Sequence, residues 1–346
     1  MIVAGRLWAS PSSTPKLVRS AVATDWTSRI LPKATSRWET QMSNHRLGFV
    51  GCGRHATHLA EVFTELGAII ECHDRKSDAQ APVWAGPRMP WREMLREVDA
   101  MVAVGPPDVT TDVVLACMKA SKPCLATKPL VFPARVITTR VDELLFQQQD
   151  ALTGIPGLPQ VQFLSLAPQI SRELYVDLWR TYSPSWQAMK AELAGKQIDS
   201  VSVVCVGDGP VRDFSGICDY GPHALAFVGD LLGKMPEVWQ ELVTTHGAGR
   251  STWEGTARFE GTSINVETGN AANRPQMRVS VTADGKLYEW VQGFMAHGFA
   301  MDDMEQVRCN RNVALRAMCR AFLNGEPSNT LRLSIEGMRV LQGVVA

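Results

Sequence analysis

The chain has 346 residues, 35 basic and 35 acidic side chains and a mean hydropathy of −0.07. That length favours two domains over one core, and the even charge argues against nucleic acid or an anionic membrane as partner. No apolar run approaches the roughly 20 residues of a spanning helix. Eight cysteines, at 52, 72, 117, 124, 205, 218, 309 and 319, form neither a C-x-x-C pair nor a His/Cys cluster. They read as reduced thiols of a cytoplasmic-type protein, with no disulfide framework and no metal site. Residues 1–41 carry six basic residues (Arg6, Lys16, Arg19, Arg29, Lys33, Arg37) against two acids (Asp25, Glu39), so 29 basic and 33 acidic residues remain in the body. The segment is Ser-, Thr- and Pro-rich without an apolar period. Its composition admits an organellar transit peptide, but an extension upstream of a start at Met42 is the favoured reading, and 1–45 is set outside the fold.

Residues 47–75 read as strand, glycine turn, helix, strand and acid. Leu47, Phe49 and Val50 end at Gly51, and Gly53 and Ala56 complete a G-x-G-x-x-A turn that opens a helix. Gly51 takes angles closed to side chains, Gly53 lets the main chain approach a pyrophosphate, and Ala56 keeps helix and strand close. Arg54 and His55 lie in the first helical turn, whose amides and partial positive charge favour an anion. Asp74 follows the second strand, 68–72, and lies 23 residues beyond Gly51, where a carboxylate binds ribose hydroxyls. This leans toward NAD, whereas Arg75 beside it suits the extra phosphate of NADP. On this segment alone, a methyltransferase turn is the rival.

The alternation continues with a helix over 90–98 (Trp91, Met94 and Leu95 inward), a strand over 100–104, a helix over 109–120 and a strand over 123–126. This predicts a doubly wound parallel sheet with its ligand at the carboxyl ends, which puts Gly105, Pro106, Pro107 and residues 127–130 on the ligand side. A helix over 134–149 and a strand over 161–167 complete a Rossmann domain of residues 46–168. Residues 169–346 are expected to form a second α/β domain. Helices near 171–194 precede strands over 199–206, 238–245, 251–259, 263–269, 276–282 and 286–291, which form a predominantly antiparallel open sheet. The final helix, 310–323, is expected to return to the first domain.

The run VDAMVAVGPPDVTTDVVLACMKASKPCLATKPLVF, residues 98–132, resembles the middle of the glucose–fructose oxidoreductase / inositol dehydrogenase / MocA family, and the likeness covers most of 46–346. In that family the strand ends in Glu-Lys-Pro with the lysine between nicotinamide and substrate, which implies this role for Lys128. Its ammonium would hydrogen-bond the reacting oxygen. Thr127 replaces the family's glutamate and changes how Lys128 is held. Asp219-Tyr220-Gly221-Pro222-His223 resembles the family's D-x-x-x-H motif. If Pro222 opens a helix, His223 lies in the first turn and exchanges a proton with the substrate hydroxyl, supported by Asp219.

Weaker substrate candidates are Arg212 and Asp213 in the preceding loop, Tyr220 of the motif itself, and Tyr182 and Trp186 with Arg180 on a helical spacing. The resemblance implies an NAD- or NADP-dependent oxidoreductase, with NAD slightly favoured, acting on a secondary alcohol or ketone of a sugar, cyclitol or nucleotide-sugar. A silent dinucleotide-binding regulator and a reductase of a non-sugar ring or imine fit the same residues. A sheet with one uncovered face predicts a homo-oligomer, dimer or tetramer, formed through it.

Overall fold

In a computed structural model of the protein, the residues described are 45–74, 83–128, 130, 173–207, 216–247, 250–271, 276–292, 296–301 and 304–345. All fall within the unit Met42–Ala346. The extension 1–41, the helix expected over 134–149 and the strand expected over 161–167 lie outside the described residues, as do Arg75, Arg212 and Asp213.

Short apolar segments build the first sheet: β1 (Arg46–Val50), β2 (Ile69–Asp74), β3 (Ala100–Ala103), β4 (Cys124–Ala126) and β5 (Leu174–Val176). All pair in parallel in the order β2-β1-β3-β4-β5, so the chain reverses its winding between β1 and β3. Parallel strands need covered faces. One face takes α1 (Arg54–Glu65), packed through Leu59 and Phe63. The other takes α2 (Trp91–Glu97) and α3 (Pro107–Lys119), packed through Met94, Val113 and Cys117. Met94 is fully buried, and Trp91 and Leu95 partly so. The described helices and strands thus form the doubly wound unit expected from the pattern.

The helices expected near 171–194 are corrected in part. Residues 174–176 are the fifth parallel strand, a short 3-10 turn spans Trp179–Tyr182, and only α4 (Pro184–Leu193) is helical. Leu174-Tyr175-Val176 is too short for periodicity to separate strand from helix, and pairing with β4 decides it.

The second sheet contains β6 (Ile198–Gly207), β7 (Gln240–Gly247), β8 (Arg250–Phe259), β9 (Thr262–Asn270), β10 (Gln276–Ala283), β11 (Lys286–Gln292), β12 (Ala296–Met301) and β13 (Met304–Asn310). Its order is β13-β12-β11-β10-β6-β9-β8-β7, antiparallel except for the parallel pair β6–β9. Along β8 and β10 buried and exposed residues alternate, and the inward face packs on α4 and α5 (Gly216–Leu232). Trp186, Phe227 and Trp290 meet there with centroids 4.7 and 4.9 Å apart around Phe227. Each such fully buried aromatic contributes roughly 1.5–3 kcal/mol by its apolar area.

Sequence reading missed β12 and β13. Ala296–Met301 and Met304–Asn310 contain few β-branched residues, and pairing such as Trp290 with Phe299 holds them extended.

Helix α6 (Arg311–Leu323) packs beside α1 on the parallel sheet, its Phe322 edge-on to Phe63 and Tyr175 at 6.0 and 5.3 Å. It is not the last helix. α7 (Thr330–Val345) follows and joins the two cores, with Leu331, Leu333 and Ile335 in the first and Met338 and Leu341 in the second. Close approach of α5 and α7 uses Gly221, Gly229 and Gly337. Added Cβ atoms there would lie 2.4 Å from Leu341, 2.7 Å from Leu333 and 3.3 Å from Leu225.

Candidate active site

The glycine turn has the geometry its sequence implies. Gly51 has φ +101°, and a Cβ there would lie 2.2 Å from the carbonyl oxygen of Val104, so conformation and space both demand glycine. Gly53 has an ordinary φ of −74°. A Cβ there would meet nothing within 4 Å, so it would project into the open space before α1. Ala56 is fully buried against the sheet. The first turn of α1 has no acidic residue and no side-chain cap, and Thr57 N–H bonds back to Gly53 O at 3.0 Å. A helix opening in this way offers its amides and dipole to an anion, and the open cradle at Gly53 fits a dinucleotide pyrophosphate. Arg54 is exposed there. Asp74 ends β2 opposite Val50, beside the turn.

The neighbouring strands bring their next residues to the same edge. After β3, Gly105 accepts a 3.1 Å hydrogen bond from Thr110 Oγ1, while Pro106 caps α3 and Pro107 opens it. After β4, both the amide and the hydroxyl of Thr127 donate to Ala103 O, at 2.9 and 3.3 Å. Thr127 therefore braces the strand end. The anion that holds Lys128 is Asp219, 91 positions away on α5. After β5 come Asp177, Trp179 and Arg180. Arg180 stacks 4.6 Å from the Trp179 ring centre, and its Nε donates to Gln292 Oε1 of β11 at 2.8 Å.

Helix α5 supplies the remaining wall. It starts at Gly216, so Pro222 lies inside it rather than opening it, contrary to the expectation from sequence. The proline removes one helical hydrogen bond, while Asp219 takes the first turn, where the dipole favours a carboxylate. Asp219 and His223, four residues apart, share one helical face. Tyr220 fits only because Gly207 lacks a side chain: a Cβ there would meet its hydroxyl at 2.1 Å.

His55, Gly105, Lys128, Asp219, Tyr220 and His223 thus converge on one cavity of about 340 Å³, together with Val104, Thr127, Asp177, Trp179 and Arg180. His223 is 4% exposed, and its Nδ1 has no hydrogen-bond partner among the described residues. Burial, and then the cations of Arg180, Lys128 and His55, hold its pKa well below the usual histidine value. The ring is neutral at pH ~7 and is a proton acceptor there. Burial pushes the Asp177 carboxyl up, but His55 foremost, with Lys128 and Arg180, outweighs it and keeps the group below the usual carboxylate range.

Sequence reading missed Asp177 and Trp179 as cavity residues and reached Arg180 only through a helical spacing. The available signal was a polar residue ending a short apolar run, the same signal that marked Thr127 and Lys128. Two candidates do not reach the cavity. Trp186 is core, its Nε1 donating to Asp230 at 2.7 Å, and Tyr182 donates to Ser328 Oγ at 2.9 Å on the outer side of the 3-10 turn. Trp186 belongs to the core of the second sheet, and Tyr182 packs against the core of the first. Tyr182→Phe is expected to cost about 1 kcal/mol in urea-monitored stability and to leave ligand affinity unchanged. No group of metal-ligating side chains occurs among the described residues, and none of their helices is long and apolar enough to cross a membrane.

No family model matches this chain, and no curated protein matches it. Solved structures do. One is UDP-N-acetylglucosamine 3-dehydrogenase GnnA of Acidithiobacillus ferrooxidans, with 17% identity over 87% of this chain and 97% of that one, TM-score 0.66. Another is myo-inositol 2-dehydrogenase of Lactobacillus plantarum, with 15% identity over 87% and 96%, TM-score 0.64. A third is biliverdin reductase of Synechocystis sp. PCC 6803, in complex with biliverdin and NADP+, with 14% identity over 85% and 96%, TM-score 0.62. These neighbours are Gfo/Idh/MocA-type oxidoreductases, and the chain has their fold, as the resemblance in its sequence implied.

Proposed function

We propose that the protein is an NAD(P)-dependent oxidoreductase that interconverts a secondary alcohol and a ketone on a sugar, cyclitol or nucleotide-sugar. The observation that carries this reading is the meeting of Lys128, Asp219 and a buried, neutral His223 in one cavity that reaches the glycine turn through His55. Gly51, Gly53, Ala56 and the first turn of α1, with Arg54 and His55, would hold the diphosphate. Asp74, with Arg75 next to it in sequence, would read the adenosine ribose, and Gly105, Pro106 and Pro107 would line the way to Lys128. When bound, the nicotinamide supplies the hydride acceptor or donor.

The protein's own groups handle the proton. His223 takes it from the carbinol hydroxyl, since a neutral imidazole in a buried site is competent as a base at neutral pH. Lys128 hydrogen-bonds the same oxygen and stabilises the charge that grows on it. Asp219 fixes the ammonium, the task that falls to it because Thr127 has no carboxylate. Tyr220 and Arg180 border the substrate space, and Arg212 and Asp213 are placed by sequence in the loop before α5. Association through the uncovered face of the antiparallel sheet, where Leu287 and Val291 are 40% and 44% exposed, belongs to the same reading.

The test combines NADH and NADPH titration with a turnover screen over aldoses, inositols and UDP-sugars. Binding and turnover that disappears in Lys128→Ala and His223→Ala support the proposal. Binding without turnover across the panel favours the silent regulator, and turnover retained in both variants overturns the mechanism.

A further inference from the structure

The reaction outlined above leaves Asp177, and its pairing with His55, without a task. Asp177 ends β5 with its side chain 3% exposed. One carboxylate oxygen is paired with His55 Nε2, and the other, Oδ1, is buried without a hydrogen-bond partner among the described residues. A buried acceptor left unfilled is costly, and a donor on a bound ligand would fill it. His55 stands in the first turn of α1, two residues past Gly53, with its side chain 41% exposed toward the same cavity. In the strand order the carboxyl ends of β3 and β4, and with them Gly105 and Lys128, lie between the two partners. The pair therefore joins the phosphate-binding turn to the far side of the proton-transfer cavity.

Building on the dinucleotide reading, we infer that His55 and Asp177 form a proton-linked clasp on the bound dinucleotide: His55 contacts the diphosphate as an imidazolium, and Asp177 is its positioning residue. The ligand class meets both needs of the pair. Its diphosphate is the anion that an imidazolium at a helix opening attracts. Its ribose hydroxyls and carboxamide are donors for Asp177 Oδ1. With His55 neutral the pair carries a net charge of −1 and repels a diphosphate. With His55 protonated the net charge is zero, so binding takes up a proton and weakens as pH rises. The other charged or titratable groups facing the pair are Arg54 on α1, Lys128 after β4, Arg180 after β5, Asp219, Tyr220 and His223 on α5, and on α6 the buried Cys319, whose thiol pKa is pushed well up by burial and by Asp177. His223, neutral already, adds no titration in the same range.

NADH is the probe, because its diphosphate has no proton to lose near neutrality, whereas the phosphomonoester of NADPH titrates near pH ~6. Its dissociation constant is measured by fluorescence at about pH 6 and about pH 8, on either side of an ordinary histidine. The wild type is expected to bind roughly tenfold more weakly at the higher pH. His55→Gln should bind weakly with no slope, and Asp177→Asn should move the midpoint to lower pH. His58→Gln, on the same helix but outside the cavity, should keep the wild-type slope. If His55→Gln fails to fold, His55→Lys replaces it, with tight binding at both pH values expected. A wild type with pH-independent affinity, or a His55 variant with the wild-type slope, overturns the clasp alone. A wild type that binds no dinucleotide at either pH overturns the clasp and the function proposed above together.

Discussion

Lys128→Ala is expected to lower turnover by about 10²–10⁴-fold, the range for loss of one positioned proton-handling or charge-stabilising group. The fold should survive. Lys128 is 16% exposed and its partner Asp219 25% exposed, so water can solvate the carboxylate that remains. A half-open ion pair contributes little to stability, on the order of 0–1 kcal/mol. The variant thus separates chemistry from folding. Asp219→Asn should cost less, because it removes the brace and leaves the ammonium. The Lys128→Ala/Asp219→Asn double variant should be no worse than Lys128→Ala, since a brace has nothing left to hold. kcat/KM for whichever panel substrate is turned over, measured in all three, decides the point. Losses that multiply in the double variant would give Asp219 a contact of its own with the substrate and sink the bracing role.

That bracing role illustrates what a linear sequence conveys and what it does not. Gly51, Gly53 and Ala56 were legible because each answers a local demand: a positive φ, an open approach, a small contact. The two rows of alternating elements were legible for a related reason, since hydrophobic period is set within a segment. Thr127 was legible as a departure from the family's glutamate but not in its consequence, because Asp219, which meets Lys128, lies 91 positions further along the chain. Asp177 was hidden by a strand of three residues, too short to declare its period, and its partnership with His55 spans 122 positions. β12 and β13 were hidden because their extended form depends on β11 rather than on their own side chains. Pro222 misled for the opposite reason. It is a strong local signal for a helix start, overridden by the packing of Gly216 to Tyr220 into a turn that precedes it.

His223 carries the second large effect, on stability in acid. Its unfolded value is near the ordinary ~6.5, while in the fold burial and three neighbouring cations hold it well below. Below pH ~6.5 the unfolded chain therefore binds a proton that the folded protein refuses. Stability falls by up to about 1.4 kcal/mol for each pH unit, until the folded-state pKa is reached. Asp177 adds a second, lower window. Its folded pKa lies below the ordinary carboxylate value, so its contribution is present above pH ~4 and is lost as pH falls further. Urea-unfolding free energies at about pH 7 and about pH 5, compared between wild type and His223→Gln, isolate this group, since the other histidines titrate alike in both proteins and Asp177 loses its contribution only at lower pH. The wild type should lose more stability over that interval than the variant, by at most about 1.4 kcal/mol for each pH unit below ~6.5. His223→Gln, which cannot take up the proton, should lose far less and become the more stable protein at the acid end. An identical slope in wild type and variant would mean that the fold leaves the His223 pKa at its unfolded value, which would overturn the burial-driven shift and the neutral, desolvated base built on it.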